Sequence, residues 1–450
     1  MSVSPAASVS LSLWQAVPFA GLILSIAVGP LVHKHWWHNH YGKIALAWAL
    51  CAAAVLMMKS GVPAAITAIT ATLLHEYMPF ILMMFALFTA AGGISIRGGF
   101  TGTPFSNVLL LGLGSGLASL IGTTGASMIL IRPLIAANAH RSFNVHVVIF
   151  FIFLVSNIGG ALLPMGDPPL FLGFLHGVDF FWTLRHLWPH TLISIGCLLA
   201  VFFLLDSLLP QNRERAGHFA HPSGLEVRGI FNALFILGAV GAIILSGLWH
   251  PDYDLKLFGI PLAAEALARD VMMILFGGLS LFFTKRDIRR DNGFDFDPLI
   301  EVAKLFAAIF ICLVPVMDLL QAGAQGPLAP LIGGLETLEG RPLPSAYFWT
   351  TGLLSSFLDN APTYLVFFEL AGGDPAVLMN AKADVLAAIS FGAVSMGAMT
   401  YIGNAPNFMV AALARKNGIA MPGFLGYLLW SCGLLLPLFL GLTWLFFRIG

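Results

Sequence analysis

Apolar runs of membrane-spanning character recur from residue 14 to residue 447 and leave the chain little surface that could face water. The candidate spans are 14–32, 44–58, 62–75, 78–95, 146–177, 190–207, 229–249, 271–284, 300–319, 384–414 and 424–447. Of 450 residues, 58% are hydrophobic and 10% charged, whereas soluble domains carry about a quarter charged residues. Strands of a transmembrane barrel would alternate apolar and polar residues, which these runs do not. The chain is therefore expected to be an all-α polytopic membrane protein with the lipid bilayer as its solvent. A formal net charge of +0 gives no sign of a nucleic-acid partner. The four cysteines (Cys51, Cys197, Cys312, Cys432) lie singly in apolar runs and read as packing residues, not as a disulfide or metal framework.

Two segments, 105–139 and 345–371, have a different pattern. Each places short apolar arms around a polar tip, "GLASLIGTTGASMILIRPLI" and "GLLSSFLDNAPTYLVFFEL". Neither arm reaches the roughly 20 residues of a spanning helix. They are expected to be re-entrant hairpins, which lipid tolerates when the tip is buried in protein or lines a cavity.

Val147–Val178 poses the sharpest question, because Asp167 is its one carboxylate. As one helix it would be about 48 Å long, against a hydrocarbon core of about 30 Å. Gly166 and the pair Pro168-Pro169 are expected to break it at mid-depth, since proline removes a donor and clashes with the preceding turn. A break frees carbonyls and helix ends beside Asp167, and a carboxylate at that depth is costly without a cation, a proton or a partner.

The same pattern returns in the second half. "GALLPMGDPP" (160–169) aligns on "GAMTYIGNAP" (397–406), so that Asp167 falls on Asn404. At the hairpin tips, Thr124-Gly125-Ala126 is laid over Asp359-Asn360-Ala361. Two basic loops, 210–229 with Arg213, Arg215 and Arg228, and "TKRDIRRDN" near 285–290, are two spans apart and share a face, cytoplasmic by the positive-inside rule. Threading from there puts the N-terminus inside and the C-terminus outside, in the cell inner membrane. It also puts the histidine-rich "HKHWWHNHYGK" outside, at odds with Lys34 and Lys43; that loop reads as a wet interface before a metal site. The hairpins then enter from opposite faces, as inverted repeats do in many secondary transporters. The organisation expected is an N-terminal half 1–209 (an extra first helix, hairpin 105–139, broken helix 146–177), a cytoplasmic linker 210–228, and a C-terminal half 229–450 (hairpin 345–371, broken helix 384–414).

At "SNIGGALLPMGDPP", "SSFLDNAPTYL" and "MTYIGNAPNFM" the chain resembles the ion transporter superfamily, and within it NhaD-like sodium/proton antiporters and citrate-transporter-like proteins. "HEYMPFILMMFALFTAAGGI" (75–94) is similar to the family's glutamate-bearing helix before the first hairpin. The resemblance implies alternating access, a scaffold beside a transport domain, and a homodimer. It implies functional positions at Asn157, Asp167, Asp359, Asn360 and Asn404, with Glu76 as a further candidate. It also sets a departure: where such antiporters carry an Asp-Asn pair on the first tip, this chain has Thr123-Thr124.

Sodium, as transported substrate and not cofactor, wants oxygen ligands. Asp167, Asp359, Asn157, Asn404 and Thr124 supply them, with Asn360, Thr123, Ser156 and Thr363 beside them. Burial and a bound cation push a carboxylate's proton affinity in opposite directions. One acid can then hold either sodium or a proton, which gives sodium(lithium)/proton antiport with Asp167 and Asp359 as carriers. A sodium- or proton-coupled citrate-like symporter is the rival, and Asp359 on a tip speaks against an anion beside it. An arsenite permease escapes that objection. The apolar segments hold no HExxH, no GxSxG and no cysteine-histidine pair, so an enzyme is not expected.

Overall fold

A computed structural model of the chain describes residues 12–447 apart from 99, 210–223, 252, 323–325 and 338. Arg213, Arg215 and most of the 210–228 linker lie outside the described residues. Eight helices among them are long and apolar enough to cross a membrane, and four more are shorter and apolar. Two short antiparallel pairs, Ser95–Arg97 with Glu226–Arg228 and Asp254–Leu257 with Ile260–Ala263, lie at helix ends. Large apolar side chains are buried at the centre, such as Phe150 and Phe171, and also face outward, such as Leu204 at 62% and Phe282 at 82% exposure. Hydrocarbon as solvent favours apolar side chains on the outer face of such long apolar helices as well as at the centre. The chain is an all-α polytopic membrane protein.

One face gathers the basic segments. Arg228 donates to Asp291 at 2.7 Å and to Asp287, and Arg97 pairs with Asp291 at 2.6 Å. The Arg228 guanidinium holds the Asp287 carboxyl below the usual carboxylate range. Arg132, at the base of the first hairpin, donates to the Asp291 carbonyl at 3.1 Å, the partner it finds in place of open water. Asn292 donates to the Gly92 carbonyl at 3.1 Å, which brings the end of the preceding long helix to the same face. At the opposite face, Trp182 Nε1 donates to the Met379 carbonyl at 3.1 Å and joins the loops that follow the first broken helix and the second hairpin.

The expected spans 62–75 and 78–95 are one helix, Val62–Ala91. A wide π-turn, Leu73–Tyr77, lies inside it, and the Met78 N–H donates to the Leu73 carbonyl five residues back. That widening accommodates Pro79, whose ring would otherwise clash with the turn before it. The polar pair His75-Glu76 marks this turn and not a span end. One fewer crossing moves the histidine-rich segment across the membrane. Tyr41 lies 5.6 Å from the Lys304 ammonium, early in the helix Asp297–Gln321 that leaves the basic face. The expectation that this segment faces away from the basic loops is overturned, and with it the misfit of a basic segment on the far side. Among the described residues no three His, Cys, Asp or Glu side chains are grouped to hold a metal.

The first hairpin is Pro104–Ile121 and Thr123–Ala137; the second is Pro344–Phe357 and Asn360–Leu370. Pro104–Ile121 has 18 residues, enough to span by length, yet it ends at Gly122, where φ is +82° and only glycine turns without strain. Both tips reach Asp167, through Thr123 and through Asn360. The base of the first lies at the basic face and that of the second at the opposite one, where Lys382 Nζ donates to the Ala371 carbonyl at 2.7 Å. The tips therefore meet midway from opposite sides.

The broken helices are Val145–Leu154 with Pro168–Leu175, and Ala383–Met396 with Ala405–Lys416. The first α-helical half stops at Leu154, well before Gly166 and the prolines. Pro168 and Pro169 start the second half-helix instead, where a missing N–H costs nothing. Glycine is needed where the break folds on itself: a Cβ on Gly166 would lie 2.2 Å from the Gly160 carbonyl oxygen, and one on Gly403 would lie 2.6 Å from that of Gly397.

The repeat register is also corrected. Ser119 Oγ donates to the Gly159 carbonyl at 2.5 Å, and Ser356 Oγ donates to the Met396 carbonyl at 3.0 Å. From Ser119 to Ser356, from Thr123 to Asn360 and from Gly166 to Gly403 the offset is the same, 237 residues. Asp359 therefore corresponds to Gly122, not to Thr124, and Thr123 corresponds to Asn360. Asp167 and Asn404 keep their equivalence.

Candidate functional site

Asp167 is 1% exposed and stands at the start of the half-helix Pro168–Leu175. Its carboxylate caps no backbone N–H there. Oδ1 accepts from Thr123 Oγ1 at 2.9 Å and from Asn404 Nδ2 at 3.2 Å, and Oδ2 accepts from Asn360 Nδ2. One hairpin tip, the other tip and the second break thus each give one neutral donor to a single acid. No lysine, arginine or histidine is among its partners in the described residues. Four helices, beginning at Thr123, Pro168, Asn360 and Ala405, start around it. Their N-terminal dipole ends favour negative charge at this point.

Asn157 and Ser156 complete the inner ring. Asn404 Nδ2 lies 3.1 Å from the Ser156 carbonyl and 3.3 Å from Asn157 Oδ1. The Ser156 hydroxyl pairs with that of Ser127 at 2.8 Å. Among the described residues, the buried Asn360 Oδ1 finds no hydrogen-bond partner. An orphaned oxygen beside a carboxylate suits a hard cation, which takes oxygen ligands.

Other expected site residues stand apart from this ring. Asp359 lies close enough to Asp167 for their charges to interact, but its carboxylate accepts from Ala361 N–H at 3.2 Å as the cap of the tip helix. Thr363 Oγ1 donates to the Asp359 carbonyl at 3.0 Å. Thr124 is half-buried and lines a crevice with Met83, Met84, Leu87 and Met165. Glu76 sits in the π-turn, within electrostatic reach of His176 and Glu369.

Two features escaped the sequence reading. Asn407 is wholly buried and accepts from Asn157 Nδ2 at 2.7 Å. Its signal was available, three residues beyond Asn404 and hence on the same helical face. The other is a buried charged knot at the base of the first hairpin. Asp206 pairs with Arg141 at 2.6 Å and with His146 Nε2 at 2.7 Å, and accepts from Asn107 Nδ2 at 3.2 Å. Each of these side chains lies near a helix end, where a polar residue carries no distinguishing pattern.

Two hairpin tips and two helix breaks close on one buried acid, an arrangement like that of many secondary transporters. The chain belongs to the family described as "Putative citrate transport", whose model matches residues 8–447. No curated protein matches the chain.

Proposed function

We propose that the protein exchanges sodium or lithium for protons by alternating access, with Asp167 as the group that cation and proton occupy in turn. The observation that carries this reading is a buried carboxylate met only by neutral donors, beside the unpartnered Asn360 Oδ1. An uncompensated charge at that depth calls for a cation or a proton. When the cation enters, Asp167 loses its proton; when it leaves, the proton returns, and charge is balanced in both states. Thr123 Oγ1, the amide oxygens of Asn360 and Asn157, and carbonyls freed by the breaks are the remaining oxygen ligands. Asp359, capping the second tip, is the second acid of the pair. With the basic face taken as cytoplasmic, the single helix Val62–Ala91 favours an N-terminal side outside the inner membrane, in place of the cytoplasmic one expected from the sequence, with the C-terminal side outside as expected.

Family membership favours a second reading, cation-coupled symport of a citrate-like carboxylate. The four helix N-termini around the site also suit an anion. With no basic side chain on Asp167, such an anion would need the cation bound first. The test is an imposed pH gradient across proteoliposomes. Sodium or lithium should dissipate it, whereas potassium should not. No response to either cation, together with sodium-dependent uptake of labelled citrate, would move the assignment to symport.

A further inference from the structure

Asn407 is wholly buried, and its Nδ2 donates to the carbonyls of Gly397 at 2.8 Å and Thr400 at 2.9 Å. Both are backbone oxygens of the second break, and a carbonyl can only accept. These two bonds therefore decide which end of the Asn407 amide is nitrogen, and Oδ1 faces away from them. There it accepts from Asn157 Nδ2 at 2.7 Å. The other hydrogen of Asn157 Nδ2 goes to the Ile152 carbonyl at 2.8 Å. With both its hydrogens committed, Asn157 presents only Oδ1 toward Asn404, whose Nδ2 also reaches Asp167 Oδ1. The orientation of each amide follows from the one before it, starting from two fixed carbonyls.

This chain crosses the repeats and is made once. The position that corresponds to Asn407 in the first half is Leu170, and the one that corresponds to Asn157 in the second half is Val394. Neither amide has a counterpart, so the tie between the two breaks is not a product of the pseudo-symmetry. Nor is it needed to finish a helix: Asn407 is the third residue of the half-helix Ala405–Lys416, and its side chain turns back into the break.

We infer that Asn407 is a positioning residue of the cation site, which, anchored on the carbonyls of the second break, holds the Asn157 amide with its oxygen toward Asp167 and Asn404. It touches no cargo itself. The inference rests on Asp167 as a cation site and holds for exchange and for cation-coupled symport alike. Without Asn407, the Asn157 amide is free to turn and set hydrogens where an oxygen stood, and a donor repels a cation that the oxygen would have bound. The link also joins cation binding to the shape of the second break. Any rearrangement that moves the Gly397 and Thr400 carbonyls releases Asn157.

The experiment titrates sodium in proteoliposomes holding the full-length protein and two variants, Asn407→Leu and Asn407→Ser. Leucine keeps most of the volume and removes the acceptor; serine keeps one hydroxyl that can donate to Gly397 and accept from Asn157. The half-saturating sodium concentration should rise about tenfold in Asn407→Leu, equivalent to about 1.4 kcal/mol of binding. In Asn407→Ser it should rise less, with the maximal rate per folded molecule changed least. A half-saturation unchanged in Asn407→Leu, with a lower maximal rate that merely follows the amount of folded protein, would overturn the positioning role and leave Asp167 untouched. Should Asn407→Leu not fold, Asn407→Ser decides by the same criterion. A wild-type protein with no sodium or lithium dependence of either exchange or citrate uptake would instead sink the reading of Asp167, and this inference with it.

Discussion

The two helix breaks share a register and a turn closed on glycine, and differ in length and in the residue each ends on. The first, residues 155–167, is long, contains a 3₁₀ turn at Ile158–Ala161, and ends in Asp167. The second, residues 397–404, is short and ends in Asn404, its preceding half-helix running on to Met396. Extra unwinding in the first break turns Asn157 inward, where the second half keeps a helical Val394. The first break supplies the charge, and the second supplies Asn404, one of the amides that donate to it. The duplicated scaffold thus converges on a single carboxylate, Asp167, at its centre. The hairpin bases differ in the same sense. The first is bolted by the buried Asp206–Arg141–His146 knot, and the second is held by Lys382 on one carbonyl.

Changes that exchange or erase these differences should have graded effects. The largest falls on Asp167→Asn. Sodium-driven pH change should drop to the protein-free background while the melting temperature holds or rises, since an expensive buried acid is gone. Exchange at the wild-type rate would reduce Asp167 to the start of a half-helix. Adding Asn404→Asp to that variant returns the charge 3.2 Å away, within the same ring. Part of the exchange should come back, and a folded double variant that stays silent would show that the two breaks are not interchangeable even in charge.

Stability should separate the hairpin bases. Arg141→Met strands Asp206 without its closest cation and is expected to cost about 3–5 kcal/mol. Lys382→Met removes one hydrogen bond at a half-buried site, for about 1 kcal/mol. Thermal unfolding of the two variants in one detergent gives the comparison, and equal costs would dissolve the distinction between a fixed and a loosely held hairpin.

Asp359→Asn should have the smallest effect. Asparagine caps a helix about as well as aspartate, within a few tenths of a kcal/mol, and Asp359 gives Asp167 no hydrogen bond. Exchange should slow without stopping. A complete loss would make Asp359 an equal carrier and restore the symmetry that the breaks lack in sequence, where Asp167 faces Asn404.

Much of the architecture was legible in the residues because its signals are local. Runs of apolar side chains report the solvent, short arms around polar tips report hairpins, and glycine with proline reports where helices cannot continue. Those signals determined the all-α membrane class, both hairpins, both broken helices and Asp167 as the one carboxylate of Val147–Val178. They misplaced what depends on contacts between distant segments. The His75-Glu76 pair looks the same at a span end and in a π-turn, and the tertiary structure shows that turn inside one long helix, with the Tyr77 hydroxyl donating to the Ala303 carbonyl of the helix Asp297–Gln321. Similarity of residue types put Asp359 over Thr124, whereas the serine hydrogen bonds put it over Gly122. The helical face of Asn407 was legible and its partner was not, and the Asp206 knot had no signal at all: a buried polar side chain acquires its role from partners far away in sequence, 250 residues for Asn407 and 60 to 99 for Asp206, and only the tertiary structure decides which ones it meets.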